Sequence, residues 1–122
     1  MKVFLDTNFL MIPVKFGVDI FSELDRVVEG KYDLVTVEPV ISELRKISQG
    51  KGKDAKAAKV ALELVKKKRI KVLKCEGSAD SCLLRMSANS YVATLDIELK
   101  RKLLKLGRKV IYLRAKKYLA VV

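Results

Sequence analysis

Apolar and polar positions follow two rhythms along this chain. Short, nearly unbroken apolar runs recur at Val3-Phe4-Leu5, Leu34-Val35-Thr36-Val37, Ile70 to Leu73, Tyr91-Val92-Ala93-Thr94 and Val110 to Leu113. Their length suits strands buried on both faces of a parallel sheet. Between them apolar residues return every three to four positions, the spacing of one helix face. Ile20, Phe21, Leu24, Val27 and Val28 predict a helix over Asp19 to Glu29, with Gly30 as its cap. Val40, Ile41, Leu44 and Ile47 predict the next, with Pro39 in its first turn. Gly50 and Gly52 break the chain before a lysine-faced helix over Lys53 to Lys68, whose inner positions are Ala55, Ala58, Ala61, Leu62 and Val65. Ser78 is the expected N-cap of a helix that buries Ala79, Cys82, Leu83 and Met86. A last helix over Asp96 to Leu106 buries Leu99, Leu103 and Leu106. Met11 to Gly17, with Pro13, reads as a loop, and Tyr118 to Val122 as an apolar tail that packs on the domain or on a second copy.

Strands alternating with helices predict an α/β chain, three layers deep, with a central parallel sheet of about five strands. The 122 residues are expected to form a single domain spanning 1–122. No repeat, linker or phosphate-binding glycine loop interrupts it.

Composition narrows the chemistry. Lys and Arg number 26 against 14 Asp and Glu, a net charge of +12, which favours a polyanionic partner, nucleic acid first. A lysine-rich, soluble surface is the plainer account. There is no histidine, so Ser-His and Cys-His pairs and a histidine general base are excluded. Cys75 and Cys82 make neither a disulfide framework nor a four-ligand zinc site, and read as reduced core thiols. Hydrolysis would have to run on carboxylates with an oxygen-loving metal. The apolar start is interrupted by Asp6 and Asn8, and no run reaches the length of a membrane span. The expectation is a soluble cytoplasmic protein without a membrane partner.

The acids fall at telling places. Asp6 closes the first strand, Asp80 lies in the first turn after the third, Asp96 follows the fourth, and Glu43 lies in the helix after the second. In a right-handed parallel sheet these strand ends share one edge, where ligands bind. Asp6, Asp80 and Asp96 are expected to converge there, joined by Glu43. Thr7, Asn8 and Thr94 are candidate positioning groups. Like charges so close raise one another's pKa, and Mg²⁺ or Mn²⁺ would relieve the conflict and serve phosphodiester hydrolysis. Taken singly, each acid also fits a turn, a helix cap or a surface pair. Lys51 to Lys74 holds ten basic residues, and Lys100 to Lys117 holds nine with no acid. Either is a solvated helix face or a phosphate-tracking surface, with Lys100, Arg101 and Lys102 as candidate RNA contacts.

Leu5-Asp6-Thr7-Asn8, Glu43-Leu44, Ala79-Asp80 and Thr94-Leu95-Asp96 resemble the four acidic motifs of PIN-domain nucleases. Leu73 to Leu83 and Tyr91 to Arg101, with Ile111-Tyr112-Leu113-Arg114, look closer to the branch that processes ribosomal RNA precursors. The resemblance implies a Mg²⁺- or Mn²⁺-dependent endoribonuclease. It assigns catalysis and metal binding to Asp6, Glu43, Asp80 and Asp96, with Glu43 binding metal or orienting water. That branch commonly carries a second Asp where Ser81 stands here, which bears on a second metal site. The resemblance suggests rRNA precursor as the RNA partner, and it suggests a homodimer. Ribosome-assembly factors or an antitoxin are the protein partners it brings into view. Two alternatives accompany it: a toxin-type PIN ribonuclease of a toxin–antitoxin pair, and a non-catalytic RNA-binding ribosome-assembly protein.

Overall fold

The structure is a computed structural model that describes residues 1–122. Its elements run β1 (Lys2–Leu5), α1 (Thr7–Leu10), α2 (Ile12–Phe16), α3 (Ile20–Val27), β2 (Asp33–Val37), α4 (Glu38–Ser48), α5 (Gly52–Lys67), β3 (Lys71–Leu73), α6 (Ala79–Met86), β4 (Tyr91–Ala93), α7 (Ile97–Lys105), β5 (Lys109–Arg114) and β6 (Tyr118–Val121). The six strands form one sheet in the order β3-β2-β1-β4-β5-β6. The first five are parallel. The apolar tail supplies the sixth, antiparallel to β5. Helices cover both faces, so the three-layer α/β/α arrangement expected from the alternating elements is present, with one strand more.

The strand runs are apolar because both sheet faces are covered. Val3, Phe4 and Leu5 of β1 and Val92 and Ala93 of β4 are fully or almost fully buried, within a hydrophobic cluster of 31 residues. From β1 the chain moves outward through β2 to β3, then crosses back to β4 on the other side of β1. Right-handed crossovers in opposite directions leave the sheet on opposite faces. A crevice therefore opens between the carboxyl ends of β1 and β4.

The outer edge of β6 is closed by α3. Leu119 turns its N–H and C=O away from β5; Glu23 Oε1 accepts from that N–H at 2.8 Å, and Arg26 donates to that oxygen at 2.7 Å. Glu23 and Arg26 also pair with each other at 2.8 Å. The tail is thus committed to its own sheet.

Three local expectations are corrected. Met11 to Gly17 is not a loop: Ile12–Phe16 is helical, and α1 precedes it. Pro13 sits in the first turn of α2, where a missing N–H costs nothing. Burial of Phe9, Leu10 and Ile12 overrides the weak helix propensity of the Thr7-Asn8 start. Leu106 lies past the end of α7 and is 52% exposed. Cys75 and Cys82 are not free thiols but a disulfide, with Cα atoms 6.1 Å apart. Gly77, at φ +109°, lets the chain between β3 and α6 fold back so that the two meet, a backbone angle that other residues rarely adopt.

Candidate active site

Asp6 is the first residue beyond β1 and lies almost wholly buried. Its extended backbone makes it the N-cap of α1, where Oδ1 accepts from the Thr7 N–H at 2.8 Å. Its other oxygen, Oδ2, accepts from Thr94 Oγ1 at 2.6 Å. Thr94 follows β4, so this bond spans the β1/β4 crevice. The Thr94 hydroxyl in turn accepts from the Asp96 N–H at 3.1 Å. Asn8 Oδ1 holds the same segment by accepting from the Leu95 N–H at 3.0 Å. Thr7 reaches across to α4, donating from Oγ1 to Glu43 Oε1 at 2.6 Å.

Asp80 enters from the first turn of α6, half-buried. Asp96 caps α7, its Oδ1 accepting from the N–H groups of Glu98 at 2.9 Å and Leu99 at 3.2 Å. The structure therefore brings Asp6, Thr7, Asn8, Thr94 and Glu43 into one bonded network. Asp80 lies close enough to Asp6 for its charge to raise that carboxyl, and close enough to Asp96 to be raised by it. An open groove lined by Glu38, Ser42, Glu43, Gly77 and Ser78 approaches from the β3 side.

The electrostatics follow from this crowding. Burial pushes the Asp6 carboxyl up to about 6, and the charges of Asp80 and Glu43 add to the rise. The bonds from Thr94 and from the Thr7 backbone oppose it. Asp80 is raised by burial and by Asp96, while Lys102 pulls it down. None of Asp6, Glu43, Asp80 and Asp96 belongs to an ion pair.

The basic candidates separate. Lys102 faces Asp80. Arg101 is taken up by Glu98 at 3.2 Å, and Lys100 lies over the Tyr112 ring, 3.6 Å from its centre. The Thr7–Glu43 and Thr94–Asp6 bonds could not be read from the chain, because they join residues 36 and 88 positions apart.

A family model described as the PIN like domain matches residues 3–116. The chain belongs to this family. Among curated PIN relatives, Ribonuclease VapC4 of Methanocaldococcus jannaschii is 32% identical over 126 residues, covering 98% of this chain and 95% of that protein. The solved PIN domain endonuclease Utp24 superposes with a TM-score of 0.80 at 25% identity, over 98% of this chain and 90% of that one. VapBC-1 from nontypeable Haemophilus influenzae shares the fold alone, with a TM-score of 0.59 at 18% identity over 86% of this chain and 94% of that one. Ribonuclease VapC4 and the Utp24 endonuclease support a nuclease.

Side chains as they stand do not draw three acids tightly around one point. The donor set nevertheless fits a hard divalent cation. It is all oxygen, burial and then the neighbouring acids raise Asp6 and Asp80, and Lys102 is the one cationic side chain close enough to Asp80 to lower its pKa. Mg²⁺ and Mn²⁺ take such carboxylate ligands together with water.

Proposed function

We propose that this PIN-domain chain is a Mg²⁺- or Mn²⁺-dependent endoribonuclease that hydrolyses phosphodiester bonds in structured RNA, with ribosomal RNA precursor as its substrate and residues 1–122 as one nuclease domain. The observation that carries it is the gathering of Asp6, Glu43 and Asp80 at the β1/β4 crevice, where the charges of Glu43 and Asp80 reach Asp6, with Asp96 close enough to act on Asp80. Asp6, Asp80 and Asp96 would hold the ion. When bound, it would supply a water of lowered pKa and neutralise charge on the phosphoryl group. Glu43, steadied by Thr7, stands where it can bind metal or take a proton from an attacking water. Thr94 holds Asp6 and the Asp96 backbone in register, and Asn8 fixes Leu95 between them. Lys102 offers positive charge to a phosphate beside Asp80. The motif resemblance supports the precursor-rRNA substrate, and the fold shared with the PIN domain endonuclease Utp24 supports an endonuclease.

A second reading keeps the chemistry and changes the setting: a toxin-type PIN ribonuclease restrained by an antitoxin. The 32% identity to Ribonuclease VapC4 supports a ribonuclease in either setting. Growth arrest on expression, relieved by a neighbouring gene product, would select the toxin.

The test is cleavage of a labelled precursor-rRNA fragment with Mn²⁺ or Mg²⁺, alongside EDTA and the variants Asp6→Asn and Asp96→Asn. Discrete cuts that vanish in all three controls are expected. Cutting that persists in either purified variant removes the proposed site. Binding without cutting under both metals transfers the reading to a non-catalytic RNA-binding protein.

A further inference from the structure

β5 does not stop where its neighbour stops. The register pairs Ala93, the last residue of β4, with Ile111. β5 then continues through Tyr112, Leu113 and Arg114 before turning into β6. Three further strand residues carry the chain about 10 Å past the end of β4. Because β5 is parallel to β4, this projection rises from the same edge as Asp6, Thr94 and Asp96.

The tip is basic and unpaired. Arg114, Lys116 and Lys117 are all exposed. None of the three belongs to an ion pair, whereas Arg101 on neighbouring α7 is paired and Lys100 is laid on Tyr112. That Lys100–Tyr112 contact fastens the projecting part of β5 to the helix that Asp96 caps. Exposed Tyr118 lies opposite Arg114 across the hairpin, a ring on which a base can stack.

The turn itself is held in an unfavourable shape. Ala115 and Lys116 both have positive φ, +53° and +55°. They are the central pair of a three-residue turn between Arg114 and Tyr118, closed by the Lys117 N–H donating to the Arg114 carbonyl at 3.1 Å, and such a left-handed pair is usually filled with Asn and Gly. Residues kept in such conformations cluster at ligand clamps, where the strain fixes a side chain in place.

We propose that the β5–β6 hairpin is an RNA-backbone clamp. In it Arg114, Lys116 and Lys117 grip phosphates beside the carboxylate crevice, and Tyr118 offers a stacking surface. The clamp rests on the endoribonuclease reading and specifies how that site holds its substrate.

Fluorescence anisotropy of a labelled structured RNA with the full chain, in EDTA across a salt series, tests it. Arg114→Gln/Lys116→Gln/Lys117→Gln is compared with a charge-matched triple, Lys2→Gln/Lys31→Gln/Lys71→Gln, where β1, β2 and β3 begin at the opposite edge of the sheet. All six residues are exposed, and thermal melts confirm that both triples fold. The hairpin triple is expected to bind at least tenfold more weakly and to lower the slope of log Kd against log salt by about 2, since each lost phosphate contact removes roughly 0.7 to 0.9. The opposite-edge triple should lose under threefold. Equal losses in the two triples, or no loss in the hairpin triple while the native chain still cuts RNA, overturn the clamp and leave the nuclease standing. A native chain that neither binds nor cuts any RNA removes both.

Discussion

Thr94 stands between two acids. Its hydroxyl donates to Asp6 Oδ2 at 2.6 Å and accepts from the Asp96 N–H at 3.1 Å. One side chain thus sets the spacing of two segments that come from opposite ends of the chain.

Thr94→Val keeps the shape and removes both bonds. A buried acceptor left unpaired costs about 1–3 kcal/mol, and Asp6 loses the strongest of the bonds that hold its pKa down. Cleavage should fall about tenfold or more, and the rising limb of the pH–rate profile should move to higher pH. Thr94→Ser should restore both. An unshifted pH profile in Thr94→Val would show that Thr94 only fills space.

Asp6 makes metal-free stability depend on pH in a defined direction. The folded carboxyl titrates at about 6, above its ordinary value of 3.8. Its contribution to stability is therefore complete below pH 3.8 and is lost as pH rises through 6. Asp6→Asn should be more stable than the parent at pH 7.5 without metal, by about 2–3 kcal/mol, with the gap closing towards pH 4. Mn²⁺ should raise the parent's Tm at pH 7.5 and leave Asp6→Asn unmoved. Differential scanning calorimetry at three pH values reads both effects, and an equal metal response in the two proteins would contradict the assignment of Asp6 as a ligand.

The Cys75–Cys82 bridge closes a short loop that contains Asp80. A loop of this length is worth about 2–3 kcal/mol in the chain-entropy picture. Reduction, or the double change Cys75→Ser/Cys82→Ser, should lower the Tm by on the order of 10 °C. Alkylation and mass spectrometry of the unreduced protein should find no free thiol. Two labelled cysteines would show that the pair is open.

Glu23 and Arg26 occupy the free edge of β6 through the backbone of Leu119. Glu23→Ala should cost about 1 kcal/mol. It also uncovers a strand edge on which other chains can pair. Light scattering should show self-association that grows with protein concentration. A variant as monodisperse as the parent would mean that α3 shields the edge by bulk alone.

The sequence made the layers legible, because double burial of a parallel sheet writes each strand as an apolar run. It also made the acids legible, since Asp6 and Asp96 are polar residues just past such runs. Ser78 is the N-cap expected from its position, accepting from the Ser81 N–H at 3.1 Å. What the chain concealed depends on distant partners. Whether Thr7-Asn8-Phe9-Leu10 coils into a helix is decided by packing against the rest of the core. The pairing of the cysteines follows from how the β3–α6 loop turns at Gly77. Local pattern assigned Lys100, Arg101 and Lys102 to one basic face, but helical rotation and the neighbours Tyr112 and Glu98 give them three separate surroundings.

The placement of β1 has a consequence during synthesis. It is made first, yet it lies between β2 and β4, and its carboxylate waits for a hydroxyl 88 residues later. At roughly 5–20 residues per second, a ribosome needs several seconds or more to translate that interval. Through all of it the nascent chain carries Asp6 without Thr94 or Asp96. On the proposed reading, an enzyme that cuts RNA is thus assembled on an RNA machine in an order that keeps its cutting edge incomplete until most of the chain has been made.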